Sequence, residues 1–213
     1  MKDALRHLRR ADPVMAQLIR RAGPYTLAPE RRRGPYEALL RAVAHQQLTG
    51  KAAQTILGRF VMLYGGDAYP SPEQLIATPD HYLRGVGFSR AKTAALKDIA
   101  AKTQDGTIPE RRRLARMKDE AIIERLTEAR GVGRWTVEMF LMFTLGRPDV
   151  LPVDDYGIQN GFRLAYGKRR LPTPRVLATF GERWAPYRTT ASWYLWRAVD
   201  FDRERMQLAA NKK

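Results

Sequence analysis

The 213-residue sequence contains no cysteine, and that absence excludes disulfides, iron–sulfur clusters and thiolate zinc sites. Histidine is nearly as scarce: His7, His45 and His81 are too scattered for metal-ligand spacing. No apolar run reaches the roughly 20 residues needed to span a bilayer, and no basic stretch carries a separate apolar face, so no membrane partner is expected. The N-terminal MKDALRHLRRADP lacks the apolar centre of a signal peptide, which points to a cytoplasmic protein associated with the nucleoid. Acidic residues are in deficit, 22 Asp and Glu against 38 Lys and Arg, for a formal net charge of +16. Such a surplus favours a polyanionic partner whose counterions the basic side chains displace, nucleic acid above all.

Alternation of the strand kind is also missing. Apolar residues recur instead every three to four positions, so the expected fold class is all-α. The pattern predicts helices over Pro13 to Ala22, Pro35 to Leu48, Gly50 to Tyr64, Pro72 to Ala77, Pro79 to Gly85, Ser89 to Thr103, Lys118 to Ala129, Arg134 to Leu145, Tyr156 to Tyr166, Pro174 to Phe180 and Tyr187 to Val199. Asp12-Pro13, Thr49, Ser71-Pro72, Thr78-Pro79, Ser89 and Thr173-Pro174 supply caps or first-turn prolines, and Gly65-Gly66, Gly146 and Gly167 fall where helices should stop. The runs Glu30 to Arg33 and Glu110 to Arg113 read as solvated connectors between helices.

Two segments repeat a theme. HYLRGVGFSRAK from His81 and LTEARGVGRWTV from Leu126 each end a helix in Gly-Val-Gly before another begins. The glycines permit a tight turn and a close approach, and the backbone N–H groups opening the next helix can hold a phosphate. A Gly-x-Gly alone is usually only a cap. The repetition, the Arg134 and Thr136 that follow, and the net charge favour DNA.

From Leu126 the sequence reads LTEARGVGRWTVEMFLMFTLGRPDVLPVDDYGIQNGFR. It resembles the helix-hairpin-helix Gly/Pro-Asp superfamily of base-excision glycosylases: a hairpin, an apolar helix, a Gly/Pro-rich loop, then an aspartate opening a helix. LLRAVAHQQLTGKAAQTI from Leu39 is similar to the Gln-Gln helix of the 3-methyladenine DNA glycosylase II branch, and ERWAPYRTTASWYLWR from Glu182 to that branch's last core helix. The likeness implies a compact form without an N-terminal β domain. It further implies two helical subdomains with the active site in the cleft between them. One spans about 36–117 and the other about 1–35 with 118–213, carrying the hairpin, the catalytic aspartate and the C-terminal helix.

By the same likeness Asp155 takes the catalytic position, while Asp154 is better explained as a helix cap. The implied activity is monofunctional hydrolysis of the N-glycosidic bond of alkylated purines such as 3-methyladenine and 7-methylguanine in duplex DNA, by base flipping, leaving an abasic site. Strand-nicking relatives carry a lysine where this chain has Trp135, so no lyase activity is expected. Trp135, Met139, Trp196 and His45 are assigned to the base-binding pocket, and an aromatic face suits a cationic base. Val137, Phe140, Leu141, Phe143, Trp184 and Trp193 are expected in the core. Gln47 is the candidate wedge filling the gap left by the flipped base. Gly131, Gly133, Arg134 and Thr136 are assigned to DNA phosphate, and the carbonyls of Thr127, Ala129 and Val132 to a monovalent cation at the hairpin, with no cofactor required. The expected partner is duplex DNA containing alkylated bases, met by a monomer.

Two other readings are open: a glycosylase for another lesion, and a non-catalytic helix-hairpin-helix DNA-binding protein. The missing cysteines disfavour cluster-bearing mismatch enzymes, and the missing lysine disfavours an 8-oxoguanine enzyme.

Overall fold

The computed structural model describes residues 1–211, in which the regular structure is helical, with no strand. In chain order the α-helices are α1 (Lys2–Ala11), α2 (Pro13–Ala22), α3 (Pro35–His45), α4 (Gly50–Met62), α5 (Pro72–Ala77), α6 (Asp80–Gly85) and α7 (Arg90–Gln104). They continue with α8 (Arg111–Leu114), α9 (Asp119–Leu126), α10 (Arg134–Phe140), α11 (Tyr156–Ala165), α12 (Pro174–Gly181) and α13 (Arg188–Ala210).

Helices with strong start signals lie where the sequence places them. Asp12 accepts from Val14 N and Met15 N ahead of α2, and Ser71 and Gln74 form a reciprocal capping box at α5. Helix α3 stops at His45 rather than Leu48, because Gln46 turns extended (φ −56°, ψ 131°) and Gln47 takes φ 57°. The span Arg134 to Leu145 is α-helical only through Phe140, then winds as one π-helical turn, Leu141–Leu145. Helix α13 runs beyond Val199 to Ala210, its charged end carrying pairs such as Arg205–Asp202 at 2.7 Å. Two helices escaped the periodicity. In α1 a basic surface hides buried Ala4 and Leu8, and α8 is formed by the arginine run expected in a loop.

The chain divides into two compact units, one of Met1–Pro29 with Gly146–Lys213 and the other of Glu30–Leu145. This corrects the boundary read from the sequence, which placed the hairpin with the C-terminal segment. The hairpin belongs to the second unit because its own bonds hold it there. Arg130 N donates to Asp98 Oδ2 at 2.7 Å, and the Arg125 guanidinium donates to the carbonyls of Thr107 and Gly106.

The first unit is built on Leu8, Met15, Ile19, Ile158, Phe162, Trp184, Tyr194 and Leu195, all buried. Its buried Asp12 also accepts from Tyr166 Oη and from Trp184 Nε1, the latter at 2.9 Å, so helix cap and core share one carboxylate. Helices α11 and α13 pack closely: a Cβ on Gly161 would stand 2.1 Å from the Leu195 carbonyl oxygen, a contact only glycine permits.

The second unit's core includes Leu39, Leu40, Leu57, Phe60, Leu83, Leu96, Ile99, Leu126 and Val137. Arg111 acts as a structural clamp, donating to the carbonyls of Glu30 (3.1 Å), Arg33 (3.3 Å) and Thr144 (2.7 Å).

Candidate active site

In the first unit the sequence leads to the start of α11. Asp155, not Asp154, is the N-cap, and its Oδ1 accepts from Ile158 N at 2.7 Å. The same oxygen accepts from Trp196 Nε1 on α13 at 3.0 Å. The aspartate expected to be catalytic is therefore also the helix cap. The half-buried Asp155 is held by two N–H donors, while Asp154 lies exposed in the preceding turn. Trp196 is half-buried with its one polar hydrogen committed to Asp155, whereas Trp184 and Trp193 are core, as expected.

In the second unit the hairpin turns at Gly131 (φ 77°), where an added Cβ would lie 3.0 Å from Ala95 Cβ of α7. Val132 N donates to the Ala129 carbonyl at 3.0 Å to close the turn, and the Thr127 hydroxyl donates back to Ile123 O at 2.8 Å. Gly133 caps α10 without offering a side-chain acceptor, whereas in the other Gly-Val-Gly segment Ser89 caps α7 through Lys92 N. The similar segments thus end differently, one with side-chain satisfaction of the first turn and one without.

Two residues assigned to phosphate have partners within the fold. The Arg134 guanidinium is held by Glu120, at 3.0 Å from Nη1 and 2.5 Å from Nη2, and by Glu138 at 3.2 Å, and these carboxylates raise its pKa. Thr136 is buried, its hydroxyl 3.5 Å from Gln46 Nε2, so its side chain faces the fold.

Trp135 is 45 % exposed on α10 and Met139, one turn on, is half-buried, so neither is a core residue. Val137, Phe140 and Leu141 are buried as expected, but Phe143 is 41 % exposed. The π-helical turn changes the winding after Phe140, keeping Leu141 and Met142 inside while moving Phe143 out.

At the end of α3, half-buried His45 has its pKa lowered, first by desolvation and then by the Arg41 and Lys92 charges. Gln46 and Gln47, equivalent in the sequence, part company. Gln46 Nε2 donates to the Gly131 carbonyl at 2.9 Å, whereas Gln47 is exposed and is the one non-glycine residue with positive φ among the described residues. Lys92 Nζ donates to the carbonyls of Ala44 and Gln46, and desolvation lowers its pKa.

The sequence reading passed over Lys92, Gln46 as an anchor, and Gly157. A Cβ on Gly157 would meet Trp196 and Asp155. The signal was present, since Gly157 and Gly161 stand four apart within a helix where glycine is a poor former. Among the described residues no helix is long and apolar enough to cross a membrane, and no group of three or more His, Cys, Asp or Glu side chains could hold a metal.

Residues 40–186 match the family model of the HhH-GPD superfamily base excision DNA repair proteins. The chain is 44 % identical over 161 residues to DNA-3-methyladenine glycosylase 1 of Schizosaccharomyces pombe, covering 76 % of this chain and 71 % of that protein. It is 33 % identical over 204 residues to that organism's alkylbase DNA glycosidase-like protein mag2, covering 95 % and 96 %. The solved structure of S. pombe 3-methyladenine DNA glycosylase in complex with abasic DNA superposes with a TM-score of 0.84 at 41 % identity, over 92 % of this chain and 95 % of that one. The DNA-3-methyladenine glycosidase of Bacillus halodurans gives 0.85 at 36 % identity, over 94 % and 91 %.

Proposed function

This chain belongs to the HhH-GPD superfamily of base excision DNA repair proteins, and from that membership we propose that it is a monofunctional glycosylase releasing 3-methyladenine- and 7-methylguanine-type bases from duplex DNA. The observation that carries the mechanism is the carboxylate of Asp155, half-buried at a helix start with Oδ1 fixed by Ile158 N–H and Trp196 Nε1–H. A fixed carboxylate beside a deoxyribose stabilises the positive charge that develops as the C1′–N bond breaks. The bond's electron pair leaves with the alkylated base and neutralises its charge. Water adds to C1′ and yields a proton to Asp155, leaving an abasic site. Trp135 stands where strand-nicking relatives have lysine, so no amine is present at that position to form a Schiff base.

The remaining roles follow from exposure and chemistry. The exposed Trp135 ring, with Met139, suits a desolvated cationic base, and we assign the neutral-favouring His45 of the same unit to that base as well. Gln47, projecting from a strained turn, is our wedge. Phosphate is assigned to the backbone of the Gly131 to Gly133 turn and the first turn of α10, which Gly133 leaves without a side-chain cap. A monovalent cation would be held by the carbonyls of Thr127, Ala129 and Val132. Such an ion would add positive charge beside a phosphate. We read the protein as a monomer acting on duplex DNA.

The test is release of 7-methylguanine from an oligonucleotide duplex, followed by alkali to reveal abasic sites. Wild type should release the base and Asp155→Asn should bind without release. Binding without release by wild type would leave a non-catalytic DNA-binding protein, and strand breaks before alkali would contradict monofunctional chemistry.

A further inference from the structure

Gly157 is the second residue of α11, and no positive φ demands glycine there. Glycine is also, after proline, the poorest helix former. What the position requires is the lack of a side chain. A Cβ at Gly157 would lie 2.9 Å from Trp196 Cδ1, 3.0 Å from Trp196 Nε1 and 3.0 Å from Asp155 Oδ1. The ring atoms belong to a rigid, half-buried indole with no flexible end to swing away, and the carboxylate oxygen is the one that accepts the indole N–H.

We propose that Gly157 is a positioning residue for the reaction: its missing side chain lets the Trp196 indole come down on the start of α11, where its N–H fixes the Asp155 carboxylate. An indole offers a donor and no acceptor, so in this contact it serves only an oxygen. With Ile158 N–H also on Oδ1, two donors from different helices fix the carboxylate's rotation. Gly161 does a separate job one turn on, admitting the Leu195 backbone and setting the approach of α11 to α13. Gly161 thus brings the helices together, and Gly157 admits the ring that their approach delivers. The inference rests on the reading of Asp155 as the catalytic carboxylate.

The experiment compares single-turnover release of 7-methylguanine by the full chain and by Gly157→Ala, Trp196→Ala, the double variant and Asp155→Asn. Binding to an abasic-site duplex is measured for each. Gly157→Ala should slow release about 100-fold, the size of effect expected from displacing a reacting group by an ångström. Its affinity for the abasic duplex should stay within about twofold, because no DNA-contacting group has been removed. In the Trp196→Ala background the same substitution should cost clearly less, since the ring is gone and only the 3.0 Å approach to Asp155 Oδ1 is left. A wild-type rate for Gly157→Ala, or an equal penalty in both backgrounds, overturns the proposal. Should Gly157→Ala fail to fold, Trp196→Phe keeps a ring and removes the N–H, and a wild-type rate there overturns it equally. Undiminished release by Asp155→Asn would instead overturn the reading of the site itself.

Discussion

Lys92 Nζ donates to the carbonyl oxygen of Gln46 at 2.7 Å. A second bond to Ala44 O at 2.8 Å makes this lysine of α7 a cap for the end of α3. Gln46 is in turn bonded to the hairpin at Gly131. The exposed Gln47 that follows therefore keeps its φ of 57° on a turn fixed from two sides. A left-handed conformation in a residue with a Cβ costs about 1–2 kcal/mol, so the supports must exceed that sum.

Lys92→Met should release the turn while preserving most of the apolar stem. Losing charge-assisted bonds of about 1.5–3 kcal/mol should weaken binding to an abasic-site duplex roughly tenfold or more. Fluorescence anisotropy measures this directly, and unchanged affinity would remove Lys92 from any part in the wedge.

Arg134→Ala should leave the salt dependence of DNA binding unaltered, because Glu120 and Glu138 already hold the guanidinium. Glu120→Gln should loosen that grip and give tighter binding to undamaged duplex, with a salt slope steeper by about one unit. A shallower slope for Arg134→Ala would place this arginine on phosphate after all.

Trp135→Ala should impair release of cationic 7-methylguanine more than release of neutral hypoxanthine, by about tenfold in relative kcat/KM. Equal losses on both bases would show that the exposed ring contributes shape and not its electron-rich face.

His45 provides a pH signature. Desolvation, Arg41 and Lys92 hold its folded pKa below 6.5, so the unfolded chain takes up the proton first as pH falls. Its contribution to stability is full above 6.5 and declines below it. The thermal midpoint should fall between neutral and mildly acidic pH, and His45→Gln should flatten that slope. A slope unchanged in the variant would assign the acid sensitivity to other groups.

Asp12→Ala should be severely destabilising, since it removes a helix cap and the partner of Trp184 and Tyr166 together. About 3 kcal/mol or more is expected from orphaning buried donors, read as a lower urea midpoint.

Much of this was legible in the sequence because the signals were local. Ser71 and Gln74 announce a capping box, Asp12-Pro13 announces α2, and the Asp155 motif lies within one stretch of chain. What escaped depends on partners distant in sequence. Arg134 follows a hairpin, and nothing beside it announces its pairing with Glu120, fourteen residues earlier. Phe143 reads as core until the backbone winds as a π-helix, which a period of 3.6 cannot foretell. Trp196 reads as a stacking surface, and only the approach of α13 to α11, 41 residues back, shows its N–H on Asp155.

The interrupted first unit has a consequence for the order of events on the ribosome. Residues 30–145 form one uninterrupted run and can close their core as soon as they emerge. Asp12 must wait for Trp184, 172 residues further on, and Asp155 must wait for Trp196. The nascent chain therefore owns its hairpin well before it owns a fixed carboxylate at Asp155.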